Sequence, residues 1–390
     1  AGSSDLPPAL RRLALARLER GDPAAAERAI RRAVALRERD GAVSAWGLAR
    51  SLATLGKILA AQGRVDAALD AYARATGAAF DLAVLGDARS RAGTLRERTI
   101  FEDYAALLLA RLDDRPELAD RLVQVVQLPH LTGTAQALRE AVASLSSDDP
   151  ALRDLLADRR GQLERRHELR SVVLDALRRD AAAPERARLE REAAAVDERL
   201  AALDARLAGE FPAVADLLRP RPASRSALQA ALAPDEVLLL HMSSPEASFY
   251  VAVTADGVTA RRSAAGRAEV AALVERIRYG VSNERDPHVR FRLFDVEAAH
   301  RLYAESVGLV ADAIGPADQL FLVADGPLQN LPPHLLLRAP APLPPERYGS
   351  TRDIDFTIYR ELPWLARSHA VAVLPSAAAL TIGRRFETAA

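Results

Sequence analysis

The chain has 390 residues, nearly half of them apolar, and its 53 basic side chains balance 53 acidic ones. That length allows two or three separately cored domains, and a net charge of zero gives no global pull toward nucleic acid or an acidic membrane surface. The absence of cysteine from these residues excludes disulfides, thiolate zinc sites, iron–sulfur clusters and a cysteine nucleophile within them.

Lys57 is the only lysine, and Gly56-Lys57-Ile58 lacks the upstream glycine and following Ser/Thr of a phosphate-binding loop. No apolar run reaches membrane-spanning length, and the opening "AGSSDLPPAL" has no signal-peptide pattern. A cytoplasmic protein without a membrane partner is the expectation.

Residues 1–210 read as nearly continuous helix, rich in Ala, Leu, Arg and Glu and poor in β-branched residues. A repeat lies within them. Leu52, Leu55, Gly56, Leu59, Gly63, Ala68, Tyr72 and Ala75 are matched by Leu10, Leu13, Ala14, Gly21, Ala26, Ile30 and Ala33. Gly56 is small enough for a partner helix to approach, Gly63 breaks the chain between helices, and Ala68 with Tyr72 fills the gap. The order resembles a tetratricopeptide repeat, although the step from Ala26 to Ala68 is 42 residues rather than about 34. A degenerate third unit is expected from Phe101 through Asp113-Asp114 to Val126. Residues 1–130 are therefore assigned to tetratricopeptide-like repeats, whose concave groove would receive a protein or peptide partner.

Residues 131–222 are expected to hold a long antiparallel helix pair and a proline-rich linker. Val196, Leu200, Leu203 and Leu207 fall at seam spacing, Leu152, Leu156 and Leu163 begin the matching seam, and Pro184 marks the turn. His167 falls beside Leu163 and reads as a satisfied or solvated side chain. Residues 223–390 change character. Strands are expected at 236–242 and 248–254, an Asp256-Gly257 turn into a third strand, helices at 267–279 and 295–314, and a strand at 319–325. A short helix from Pro332 and a last strand in "HAVAVLP" follow. Strands alternating with amphipathic helices indicate an α/β layer, so the overall class is α plus α/β.

The chemistry-bearing residues are scattered. No Gly-x-Ser-x-Gly string occurs, and Ser376 in "VLPSAAAL" reads as a helix N-cap. His130, His167, His241, His288, His300, His334 and His369 include no pair at i, i+3 or i, i+4 and no HExxH, so no metal site is assigned. Asp353 and Asp355 stand two apart. Asp325 before Gly326 reads as a turn-former that bonds its own backbone. The basic runs near "RRHELR" and "DALRRD" are matched by nearby acids and read as solvated helix faces rather than nucleic-acid stripes. No catalytic, cofactor or metal residue is assigned.

Taken together, "EVLLLHMSSPEASFYVAVTADGVTA", the Leu302-Tyr303 helix, the strand into Asp325-Gly326 with Leu328, Leu331 and Pro332, and Leu374-Pro375-Ser376 resemble the opening half of a CHAT domain. This is the caspase-like domain of separase relatives, commonly preceded by tetratricopeptide repeats. The resemblance covers about residues 225 to 380. It implies a partial caspase-like sheet domain from a bacterial-type cysteine endopeptidase with a His–Cys dyad. In that alignment both dyad residues lie downstream of the Leu-Pro-Ser block, and His369 is not one of them. The expectation is the front part of a longer peptidase, inactive as this segment. The competing readings are a non-enzymatic repeat scaffold and an unrelated α/β hydrolase using Asp325 or Ser376.

Overall fold

Two helical hairpins open the computed structural model: α1 (Leu6–Glu19) with α2 (Pro23–Arg39), and α3 (Ala45–Ala61) with α4 (Val65–Leu85). The structure describes residues 6–39, 45–85, 98–131, 149–179, 182–211, 214–215, 221–281, 294–342 and 356–387. Asp353, Asp355 and His288 lie outside them. The chain divides into two compact units, Ala1–Leu107 with Leu131–Arg221, and Leu108–His130 with Pro222–Ala390.

In the first unit each hairpin turns on a glycine at positive φ, Gly21 at 76° and Gly63 at 74°. The same pair of backbone bonds closes each helix end. Gly21 N–H donates to Leu18 O and Asp22 N–H to Arg17 O; Gly63 N–H donates to Ala60 O and Arg64 N–H to Leu59 O. This is the Schellman arrangement, whose left-handed position glycine occupies without a Cβ penalty. Asp22 then caps α2, its carboxylate accepting from Ala25 N–H at 3.0 Å. Ala14, Ile30, Ile58, Leu59 and Ala68 share one buried core. A Cβ on Gly56 would press on the Tyr72 ring at 2.8 Å, so the close approach expected at that glycine is present.

The third expected hairpin divides differently. α5 (Thr99–Leu109) leads through a 3-10 turn (Pro116–Leu118) into helix α6 over 119–131, and residues 108–130 cluster with the sheet rather than with the repeats. The long pair is α7 (Pro150–Arg178) and α8 (Ala183–Glu210). Val196, Leu200, Leu203 and Leu207 are all buried. They meet Leu152, Leu155, Leu169 and Val173 in two adjoining clusters. Leu155 takes the buried place expected of Leu156, which packs at the margin. Pro184 sits in the first turn of α8, where its missing N–H costs nothing.

The second unit carries α9 (Arg225–Ala231), β1 (Glu236–Ser243), β2 (Ser248–Thr254), β3 (Val258–Ser263), α10 (Arg267–Val281), α11 (Val296–Ala304), β4 (Gln319–Val323), β5 (Ala370–Val373) and α12 (Ala377–Glu387). The strands form one mixed sheet in the order β3-β2-β1-β4-β5. β1 runs antiparallel to β2 and parallel to β4, and β4 runs parallel to β5. Val237, Leu239, Tyr250 and Leu322 face a core shared with Val270 and Ile277 of α10 and Leu302 of α11. The alternate residues Leu238, Leu240, Phe249 and Val251 are equally buried. A sheet covered on both faces explains why β1 reads as a continuous apolar run.

Two boundaries and the closure of one turn differ from the expected ones. The helix foreseen over 295–314 breaks after Ala304: Ser306 leaves helical geometry, its hydroxyl donates back to Leu302 O, and a 3-10 turn (Val307–Val310) follows. β4 ends at Val323, because Ala324 and Asp325 leave the ladder. The β2–β3 turn is present, yet Gly257 is not among the glycines at positive φ. Thr254 closes that turn instead, donating its N–H to Gly257 O and accepting from Gly257 N–H on its hydroxyl, both at 3.0 Å.

Candidate functional site

The parallel strands β1 and β4 end side by side, and their carboxyl ends are where an α/β sheet presents polar groups. β1 contributes His241 and Ser243, both fully buried, and the residue after β4 contributes Asp325, 5% exposed. The Asp325 carboxylate accepts the Ser243 N–H at 3.0 Å, and the Asp325 N–H donates to His241 Nδ1 at 3.2 Å. The two strand ends are thus cross-bonded through one residue. His241 Nδ1 therefore carries a lone pair, which places the proton of the neutral ring on Nε2. That ring stacks on Tyr250 with centroids 4.8 Å apart. Burial, opposed by Ser248 and aided by the charge of Glu305, pushes the Tyr250 phenol well above its ordinary range.

Arg267, at the start of α10, closes the cluster. Its Nε donates to Ser243 Oγ at 3.2 Å and its Nη2 to Ser243 O at 2.9 Å. Gly326 follows Asp325 at φ 59°, and a Cβ there would lie 3.2 Å from Ser243 Oγ. Glycine at this position meets both the left-handed backbone and the crowding. On the outer side, His130 of α6 donates from Nε2 to the His241 carbonyl at 2.8 Å.

Aspartate, histidine and serine meet here, but not as a relay. The serine hydroxyl turns to Arg267, the imidazole Nδ1 takes a backbone N–H, and the carboxylate holds a backbone N–H across the sheet. Chemically the arrangement is a buried latch. Asp325 was expected to bond its own turn; its side chain makes no capping bond there and reaches Ser243 instead. Nothing in the sequence signals that pairing, because the two residues stand 82 positions apart.

The other candidates are dispersed. His369 Nδ1 donates to Ala317 O at 2.8 Å and His300 Nδ1 to Leu337 O at 3.1 Å, so both rings serve the fold. His334 is exposed, and the side chain of His167 is not described. Ser376 stands immediately before α12, and its carbonyl accepts from Ala379 N–H. No group of three or more His, Cys, Asp or Glu among the described residues is arranged to hold a metal ion. No described helix is long and apolar enough to cross a membrane.

Two concave surfaces lie apart from this cluster. In the repeat unit, a hollow of about 290 Å³ is lined by Pro7, Arg11, Arg12, Arg37, Arg50 and Ser51. In the sheet unit, a cleft of about 640 Å³ runs along β3. The arginine spacing that signals the hollow was present in the sequence, but which helix faces meet was not. Among known proteins, no family model, no curated protein and no solved structure matches this chain.

Proposed function

We propose that this chain is the partner-binding and scaffold portion of a caspase-like CHAT peptidase, without peptidase activity of its own. The resemblance of residues 225 to 380 supplies the family, and one structural observation carries the reading furthest. β5 is the outermost strand of a parallel ladder, yet its residues are exposed or half-exposed, with Val373 56% exposed. A parallel strand normally lies within a covered sheet, so an edge of this kind supports a sheet continued by further strands. The helical hairpins would receive a protein partner, and the arginine-lined hollow suits an acidic one. The action is cytoplasmic and needs no cofactor. The catalytic thiol would come from beyond these residues, since none of them is a cysteine.

The gene sequence downstream of codon 390 tests this. A His-Gly followed some tens of codons later by a cysteine in a strand pattern is expected, with proteolysis by the longer product abolished by Cys→Ala. A stop codon directly after codon 390, or hydrolysis of a protein substrate by these 390 residues alone, overturns it. The second reading, a non-enzymatic repeat scaffold, draws on the engagement of Asp325, His241 and Ser243 with one another and with backbone.

A further inference from the structure

The cleft along β3 lies wholly within the sheet unit. One wall is β3 itself, residues 258–262 in unbroken succession. The other is apolar, built from Leu109, Leu112, Pro116 and Ala119. Among the described residues β3 is an edge strand, paired with β2 alone. Thr254 N–H bonds Gly257 O at the turn. Alternation along an antiparallel ladder then makes the Ala252/Thr259 and Tyr250/Arg261 pairs the bonded ones. The N–H and C=O groups of Val258, Ala260 and Arg262 therefore face the cleft. One observation agrees with this directly: the Ala260 carbonyl is capped by the Arg261 guanidinium at 2.9 Å. A strand protecting its own edge with a charged side chain is a common guard against unwanted pairing.

The charges around the cleft are unequal. Among the residues that line it, Arg225, Arg261 and Arg262 stand against one acid, Asp113. Arg262 is exposed and makes no ion pair among the described residues, and Arg261 meets Asp312 only at 3.8 Å with both side chains at least half exposed. From the open edge, the apolar wall opposite and the positive rim, we infer that this cleft binds an extended acidic peptide of a partner protein as a sixth strand on β3. Backbone bonds to Val258, Ala260 and Arg262 supply affinity, the apolar side chains on one face of the peptide turn to Leu109 and Leu112, and the carboxylates on its other face meet Arg261, which shares the Tyr250 side of the sheet. Arg261 exchanges the Ala260 carbonyl for a peptide carboxylate. This inference does not depend on the peptidase reading and concerns a surface other than the repeat hollow.

The test uses the full 390-residue chain and a fluorescein-labelled seven-residue peptide alternating Val and Glu, read by fluorescence anisotropy. Binding is expected, with a loss of about tenfold or more when Glu is replaced by Lys or when alternate peptide nitrogens are methylated. Arg261→Glu should weaken binding by a similar factor, and Arg188→Glu on the exposed side of α8 should leave it unchanged. Ala260→Pro removes an outward N–H without touching the ladder to β2 and should abolish binding; circular dichroism checks its fold, and the methylated peptide makes the same point without altering the protein. The proposal is overturned if the peptide does not bind, if the Lys peptide binds as well, if Arg188→Glu alone removes binding, or if the edge instead pairs two copies of the chain.

Discussion

At the scale of single residues, the tightest constraints sit where backbone meets backbone. A Cβ on Gly266 would drive into the Pro245 carbonyl, which is part of a turn and cannot swing aside. Gly266→Ala should cost about 1–3 kcal/mol, read as a lower urea midpoint for the sheet unit. At the latch, Asp325→Ala strands the buried Ser243 N–H and should cost about 1–3 kcal/mol, while Asp325→Asn keeps an acceptor and should cost clearly less. Equal losses in the two variants would show that accepting the Ser243 N–H is not what this side chain contributes. In the repeats, burial tends to raise the Glu27 carboxyl, but hydrogen bonds from Arg31, Gln62 and Arg64 outweigh it and hold the group near about 2 against an ordinary 4.5. A depressed carboxyl contributes its stability above the ordinary value and loses it as pH falls from about 4.5 toward 2. Because Arg31 and Arg64 are about half exposed, that contribution is about 1–2 kcal/mol. Glu27→Gln should therefore be destabilised by that amount at pH 7, with the gap to the parent closing near pH 2 in denaturant titrations.

Elements were legible where a period or a small residue announced them. Gly21, Gly63, the 4-3-4 spacing of α8 and the apolar runs of β1 and β2 each follow from local chemistry that a sequence displays. What the sequence hid was the pairing of distant residues, Asp325 with Ser243 and the two walls of the cleft along β3, together with one local event, the break of the 295–314 helix where Ser306 bonds back to Leu302. The α7–α8 pair adds an example that hydrophobic spacing cannot reveal. Arg159 Nε meets Asp204 Oδ1 at 2.8 Å with side chains only 9% and 12% exposed. Removing one partner leaves a largely buried charge, so Arg159→Met alone should cost about 3–5 kcal/mol. The double variant Arg159→Met/Asp204→Leu should recover most of that loss, since an apolar pair of similar volume avoids desolvating two ions. Thermal melts of the single and double variants decide it, and a double variant no better than the single would refute the argument.

On the scale of the whole molecule, the sheet unit is assembled from two stretches that are not adjacent in sequence. α6 is tied to the second stretch at three places. Gln127 Nε2 donates to Ala223 O at 2.9 Å, and Ala223 N–H returns a bond to Gln127 Oε1 at 2.9 Å. Asp120 Oδ1 accepts the Arg225 N–H at 2.8 Å, and His130 reaches His241. A fragment of residues 222–390 alone should therefore bind a hydrophobic dye and be cut rapidly by protease. Adding a peptide of residues 108–131 should restore protection; protection without the peptide would mean that α6 is dispensable. The same discontinuity sets an order for birth on the ribosome. α6 emerges roughly a hundred residues before β1 exists, which at about 5–20 residues per second is a wait of some five to twenty seconds. During that interval Leu122 and Val126, fully buried once folding is complete, are sticky cargo for whatever chaperone meets the nascent chain.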